Sequence, residues 1–273
     1  MSPFAEFLRS YREHEAGVAH ELLLLCKGFE TQALPAEYRA LLDATAHRTM
    51  FVADEGFDIA PYFAAARANG DAYFCFLNSF SRVLDAGWLA KLYAHARTPG
   101  VGVTSATGSY ESHYTSLARA LRPFDYLRRT AYSLRHARRP SQGLREYLTE
   151  RGELAKARAV FDPFPNYHVR TNAFLIARDV MLDLKVGVIG NKMDATAFES
   201  GKQGLTRQLF DKGLRALVVG RDGLAYEKER WRESRTFRSG EQQNLLVADN
   251  RTRQYAEADA QTKVFLERCA WGF

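Results

Sequence analysis

Two short apolar runs, one on each side of a helical pattern, limit what this chain can fold into more than any other feature. The first, Met50 to Ala53, ends in Asp54, Glu55 and Gly56. A helical pattern follows from Ile59 to Asn69. The second run, Tyr73 to Leu77, ends in Asn78-Ser79-Phe80-Ser81, and Leu84 to Leu89 opens the next helix. Runs this short and this apolar read as strands buried on both faces. Two such strands flanking a helix imply a parallel sheet, because a parallel connection needs a long crossover. In open sheets of this kind ligands bind beside the carboxyl ends of the strands. The polar loops after the two runs are therefore the first places to look for a site.

The rest of the chain continues the alternation. Residues 3–14 read as helix, His20 to Cys26 as a buried strand closed by Lys27-Gly28, and Ala36 to Ala46 as helix with Tyr38, Leu41 and Leu42 at helical spacing. Further on, 85–97 reads as helix and Gly102 to Ala106 as strand. Thr171 to Ala177 is a strand, Asp179 caps a short helix, and Gln203 to Lys212 is a helix stopped by Gly213 before the strand Leu214 to Val219. Residues 230–243 read as a polar, Arg-rich loop and 252–268 as helical. With 273 residues, 46% of them hydrophobic, the chain can fill one large core. The expectation is a single α/β domain over 1–273. Its sheet is Rossmann-like, mostly parallel and flanked by helices, with 112–165 as a helical insertion and 221–273 as a loop-and-helix extension.

The order of these pieces resembles the family 2 glycosyltransferases of the GT-A fold. That family has a Gly-containing loop, a helix, an apolar strand ending in an Asp-x-Asp motif, and then a "leu-x-pro-x-trp-leu" pattern. The resemblance covers roughly residues 18 to 110 and returns weakly between 170 and 220. It implies transfer of a sugar from a nucleotide-sugar donor to a glycan or lipid-linked glycan acceptor, with inversion, in bacterial-type polysaccharide biosynthesis. The chain departs from the family at the metal-binding motif. Asn78, Ser79, Phe80 and Ser81 stand where carboxylates belong, and a hard divalent cation such as Mn or Mg wants carboxylate oxygens. The family's opening strand is also missing ahead of the helix at 3–14; either a start upstream supplies it, which is the favoured expectation, or the protein lacks a central strand.

Candidate site residues follow from position and chemistry. Gly56 lets backbone approach a ligand, and Asp54 and Asp58 offer carboxylates to a base or ribose; the alternative is that an aspartate merely caps the helix at Ile59. Asn78, Ser79 and Ser81 can hydrogen-bond a diphosphate or sugar. Without a metal, arginines must answer the diphosphate, and Arg170, Arg235 and Arg238 are the candidates. The resemblance implies a general base within MDATAFESGKQGLTRQLFDKGLRALVVG, with Glu199 first and Asp194 second; the alternative is a helix-leading acid held by the dipole. His168 and Asn172 enter a strand that faces the acceptor, and Tyr110 is a platform for a sugar ring.

Charge is concentrated. Between Ser112 and Val160 stand eleven basic residues against four acidic ones, in a chain whose net charge is +6. The segment reads as a solvated helical face, as a peripheral contact with anionic membrane suited to a lipid-linked acceptor, or, least of all, as a nucleic-acid surface. No run approaches the ~18–20 apolar residues of a membrane span. Cys26, Cys75 and Cys269 are odd in number and widely spaced, which suits reduced thiols in the cytoplasm, peripheral at the inner membrane face if the basic segment meets lipid. Two other functions stay open. One is a non-catalytic relative that binds a sugar nucleotide or a partner glycosyltransferase. The other is a nucleotidyl-handling enzyme, for which the chain lacks a Gly-rich, Lys-containing phosphate loop.

Overall fold

A computed structural model describes residues 2–121 and 140–272. Helices and strands alternate along them. The order is α1 (Pro3–Glu13), β1 (Leu23–Lys27), α2 (Ala36–Leu42), β2 (Arg48–Val52), α3 (Ile59–Ala68), β3 (Tyr73–Phe76), β4 (Arg82–Val83), α4 (Trp88–Ala96), β5 (Val101–Ser105), β6 (Gly108–Ser109) and α5 (His113–Ala120). Then come α6 (Pro140–Val160), β7 (His168–Val169), β8 (Phe174–Ala177), α7 (Arg178–Leu182), α8 (Lys192–Ser200), α9 (Leu205–Asp211), β9 (Arg215–Val219), β10 (Ala225–Tyr226), β11 (Val247–Ala248), α10 (Asn250–Glu257) and α11 (Ala260–Trp271). The expected α/β alternation is what the chain forms.

Local chemistry sets several boundaries. Ser2 caps α1 by accepting the Ala5 N–H, and Pro3 takes the first turn, where its missing N–H costs nothing. Gly213, at φ +73°, ends α9 in the left-handed conformation that favours glycine. One expectation fails here. Asp179 does not cap α7: Ala177 holds the cap position, and Asp179 accepts from its neighbour Val180 inside the first turn. Pro140 stands at the start of α6, where prolines are at home.

The strands form a five-stranded sheet, β10-β9-β5-β8-β3, and a separate parallel pair, β1-β2. Two small antiparallel pairs, β4-β11 and β6-β7, lie outside them. A mostly parallel sheet is not what the pairing gives. β5 and β9 are parallel, but β8 runs against both β3 and β5, and β10 runs against β9. The cause is largely one strand. β3, β5 and β9 share a direction, and β8, inserted between two of them, turns both its pairings antiparallel. β8 is buried on both faces, so its sequence, FLIA, carries no alternation that would betray its direction.

Apolar side chains hold both faces of the sheet. On one, α3, α8 and α9 bring Phe63, Phe198 and Leu209 against Phe76, Phe174 and Ile176. On the other, α4 brings Trp88 and Leu92 against Leu175 and Val219. Each side chain buried so completely contributes roughly 1.5–3 kcal/mol, which fixes the sheet beneath its loops. A third cluster ties α1 to β1 through Phe7, Leu8, Leu24 and Cys26.

Within 112–165 the described residues form α5 and α6, with a non-helical loop at 161–165. Arg122, Arg128, Arg129, Arg135, Arg138 and Arg139 of its basic set lie outside the described residues, as do Phe124, Leu127 and Leu134. No helix among the described residues is long and apolar enough to cross a membrane. Residues 230–243 are not a polar surface loop. They form two short 3₁₀ turns, Lys228–Ser234 and Gly240–Gln242, around the buried Trp231, Phe237 and Arg238.

Candidate functional site

β3 ends at Phe76, and the chain turns through Asn78 to Ser81. Asn172, just ahead of β8, reaches this turn. Its Oδ1 accepts the Asn78 N–H at 2.9 Å and the Ser81 hydroxyl at 2.8 Å. The next residue back, Thr171, donates both its N–H (2.7 Å) and its hydroxyl (2.6 Å) to Oε2 of Glu199. A continuous polar link thus runs from the loop after β3 to Glu199. Asn172 and Ser81 are buried, so their bonds replace water that the fold has removed.

Glu199 lies in the last turn of α8, not at the head of a helix as a dipole-held acid would. The end of a helix is its negative pole, which disfavours a carboxylate. Thr171's two bonds offset that cost and leave Oε1 for something else. Asp194 stands at the other end of α8, where its Oδ2 accepts the N–H groups of Gly190 and Asn191 in a capping box. The structure places Asp194 in helix capping and away from the link.

The loop after β2 approaches from another side. Gly56 has φ +65°, and a Cβ there would come 2.3 Å from the Cβ of Ala60, so the loop needs glycine. Asp58 precedes α3 but makes no cap hydrogen bond with its side chain. It stays accessible, and the walls around it push its pKa up against the pull of Lys27. One turn later Tyr62 stacks on Phe76 at 4.4 Å. Its buried hydroxyl has no hydrogen-bond partner among the described residues. Burial first, and then Asp58, Cys75 and Glu199, raise its pKa well above the ordinary value. Nothing in the sequence marked Tyr62, because a tyrosine inside an apolar helix reads as core. Asp54 faces solvent in an ion pair with Lys27 at 3.2 Å and is not part of this group. Ser79 is exposed on the turn after β3.

Two ion pairs lie next in the chain and in space to the link. Arg170 pairs with Asp249 at 2.6 Å, and Arg238 pairs with Glu111 at 3.1 Å. Both guanidinium groups sit over one ring, Phe237, at 4.8 and 4.9 Å from its centre. Trp271 fixes that ring's backbone by donating to the carbonyls of Phe237 and Arg238. Burial pulls the Arg170 pKa down, but Asp249, Glu199 and Glu111 more than reverse it; burial lowers that of Arg238. Asp249 and Glu111 were not legible as site residues, because their partners are distant in sequence. Arg235 is exposed at a left-handed corner and joins none of these contacts.

Two candidates turn out to belong to the core. Tyr110 packs against Tyr167 and Trp271 and donates to the Lys228 carbonyl at 2.6 Å, so its ring is not open to a sugar. His168 is buried, with Nδ1 2.9 Å from the Asn166 carbonyl oxygen. Among the described residues no group of three or more His, Cys, Asp or Glu could hold a metal, and the neutral oxygens of Asn78 to Ser81 do not fit a divalent cation.

A cavity of about 920 Å³ opens between β1 and β3, with Lys27, Asp58, Asn78 and Ser79 along its lining. No protein-family model, curated protein or solved structure matches this chain.

Proposed function

We propose that the protein is a glycosyltransferase that moves a sugar from a nucleotide-sugar donor to a glycan or lipid-linked glycan acceptor, with inversion. The observation that carries this is the link Asn78–Asn172 with Thr171–Glu199. It holds one carboxylate beside the loop where a donor would lie at the end of β3. Asp58 takes a ribose hydroxyl or base, Asn78 and Ser79 meet the diphosphate and donor sugar, and Ser81 and Asn172 position the turn. Arg170 and Arg238, each held by a carboxylate, are the cations nearest to it. Glu199 takes the proton of the acceptor hydroxyl as that oxygen attacks the anomeric carbon. The bond from that carbon to the diphosphate breaks, and the nucleoside diphosphate leaves with the electron pair. A GT-A-like sheet is supported by the common direction of β3, β5 and β9 with β8 reversed among them. No step is routed through a metal, because the residues present do not fit one. The neutral Asn78 to Ser81 turn also favours a second reading, a relative that binds a sugar nucleotide, or a partner glycosyltransferase, without turning over.

A thermal-shift panel of UDP-, GDP-, TDP- and CMP-sugars, each with and without Mn²⁺, tests the donor part. At 100 times its dissociation constant a donor adds about 2.7 kcal/mol. One nucleotide class shifting the melting temperature, with or without Mn²⁺, is the expected result. No shift with any donor counts against the proposal.

A further inference from the structure

Four hydrogen bonds hold the turn after β3, yet the turn presents one apolar ring to solvent. The Asn78 N–H and the Ser81 hydroxyl both donate to Asn172 Oδ1, at 2.9 and 2.8 Å. Asn78 then braces the turn from inside. Its Oδ1 accepts the Phe80 N–H at 3.0 Å, and its carbonyl accepts the Ser81 N–H at 3.0 Å. An asparagine side chain that bonds two residues on mimics a backbone turn and fixes its path. Ser81 and Asn172 are buried, which anchors the turn in the fold. The path of the backbone at Phe80 is therefore set by these bonds and not by packing of the ring.

The ring itself does little for the core. Phe80 is 44% exposed and belongs to none of the three apolar clusters. Among the described residues it has no aromatic or cationic partner. The other two exposed phenylalanines differ. Phe57 carries the Lys27 ammonium over its ring at 6.0 Å, and Phe265 stands on α11 and not on a loop that closes a strand. Phe80, with Asn78, Ser79 and Asp58, lines the cavity beside which β3 ends. A fixed backbone that holds an unpartnered ring at such a place is what a ligand platform needs, because little ordering remains to be done on binding.

The chemistry of the turn says what would lie on it. Asn78, Ser79 and Ser81 are neutral, so the turn offers hydroxyl and amide groups beside one aromatic face. That face is negative, and it attracts the slightly positive C–H hydrogens that a pyranose ring turns to one side. We infer that Phe80 is the platform on which the sugar ring of the donor stacks, C–H face to ring face. This rests on the donor reading proposed above and adds what holds the sugar. The platform recognises the sugar and not the nucleotide, and it selects by the shape of the C–H face and not by charge.

Binding titrations of each nucleotide-sugar and of the matching sugar-free nucleotide, on the parent, Phe80→Ala and Phe80→Trp, test it without an acceptor. Phe80→Ala should weaken the sugar nucleotide by about threefold to tenfold, the worth of an aromatic contact, and leave the sugar-free nucleotide as in the parent. Its melting temperature should match the parent's, because the ring is outside the core. Phe80→Trp should keep the affinity. The three native tryptophans are buried, so a change in its emission with the sugar nucleotide and not with the sugar-free one would report the stack directly. Equal weakening of both nucleotides by Phe80→Ala, or of neither, overturns the platform and leaves the donor reading standing. So does a melting temperature several degrees lower, which would give the ring to the fold, or an indole emission blind to the sugar. A parent that binds none of the nucleotides overturns both.

Discussion

Thr171 gives two hydrogen bonds to a single oxygen of Glu199, one from its backbone and one from its hydroxyl. That arrangement locks the carboxylate's orientation while leaving its second oxygen uncommitted. It also explains how an acid persists at the negative end of α8.

Removing half of this hold should loosen Glu199 without displacing it. Thr171→Val deletes the hydroxyl bond and keeps the backbone one. Hydrogen bonds to charged groups contribute about 1.5–3 kcal/mol, so a loss toward the lower end is expected in the urea midpoint. Turnover should fall further than stability does, and Thr171→Ser should restore both.

Asn172 answers two donors with one oxygen. Asn172→Leu leaves the half-buried Asn78 N–H unpaired, at about 1–3 kcal/mol, and the buried Ser81 hydroxyl with only a long bond to Asn78 Oδ1 at 3.4 Å. The melting temperature should drop by several degrees. Asn172→Asp keeps the accepting oxygen and should cost less, which separates lost hydrogen bonding from lost packing.

The turn and the strand starts were legible in the sequence because short apolar runs closed by Asp-Glu-Gly or Asn-Ser-Phe-Ser have few other uses. Glu199 was singled out by its outline, but its place at the end of α8 was not legible. The direction of β8 was hidden too: FLIA is buried on both sides and reads the same either way. Arg170 with Asp249 and Arg238 with Glu111 join residues far apart in the chain, and no local pattern announces such pairs.

The Arg170–Asp249 pair should show itself in acid. Burial alone would raise the Asp249 pKa, but Arg170 and the Thr252 bonds outweigh it and the net shift is downward. A carboxylate with a depressed pKa stabilises the fold above its unfolded value, near 3.9, and loses that contribution as pH falls through its folded value. Asp249→Asn should therefore cost about 3–5 kcal/mol at neutral pH. Chemical denaturation across an acid series should show the gap to the parent closing below about pH 4.

Asp58 should behave in the opposite sense. Its raised pKa means the folded protein disfavours its charge. Its contribution is fully present below the unfolded value and is lost as pH rises through the folded one. Asp58→Asn should stabilise the protein modestly at neutral pH, with the gain vanishing in acid, while donor affinity falls. An asparagine variant that is less stable at neutral pH would show that the carboxylate serves the fold instead of a ligand.

Nucleoside diphosphate release by the parent and by Glu199→Gln, measured beside donor affinity, tests the central claim most directly. With the donor that binds, the parent should release nucleoside diphosphate in the presence of acceptor. The variant should do so at least about 100-fold more slowly, as expected for loss of a general base, with donor affinity held. Equal release by both proteins, or donor binding without release by the parent under any acceptor, would contradict it.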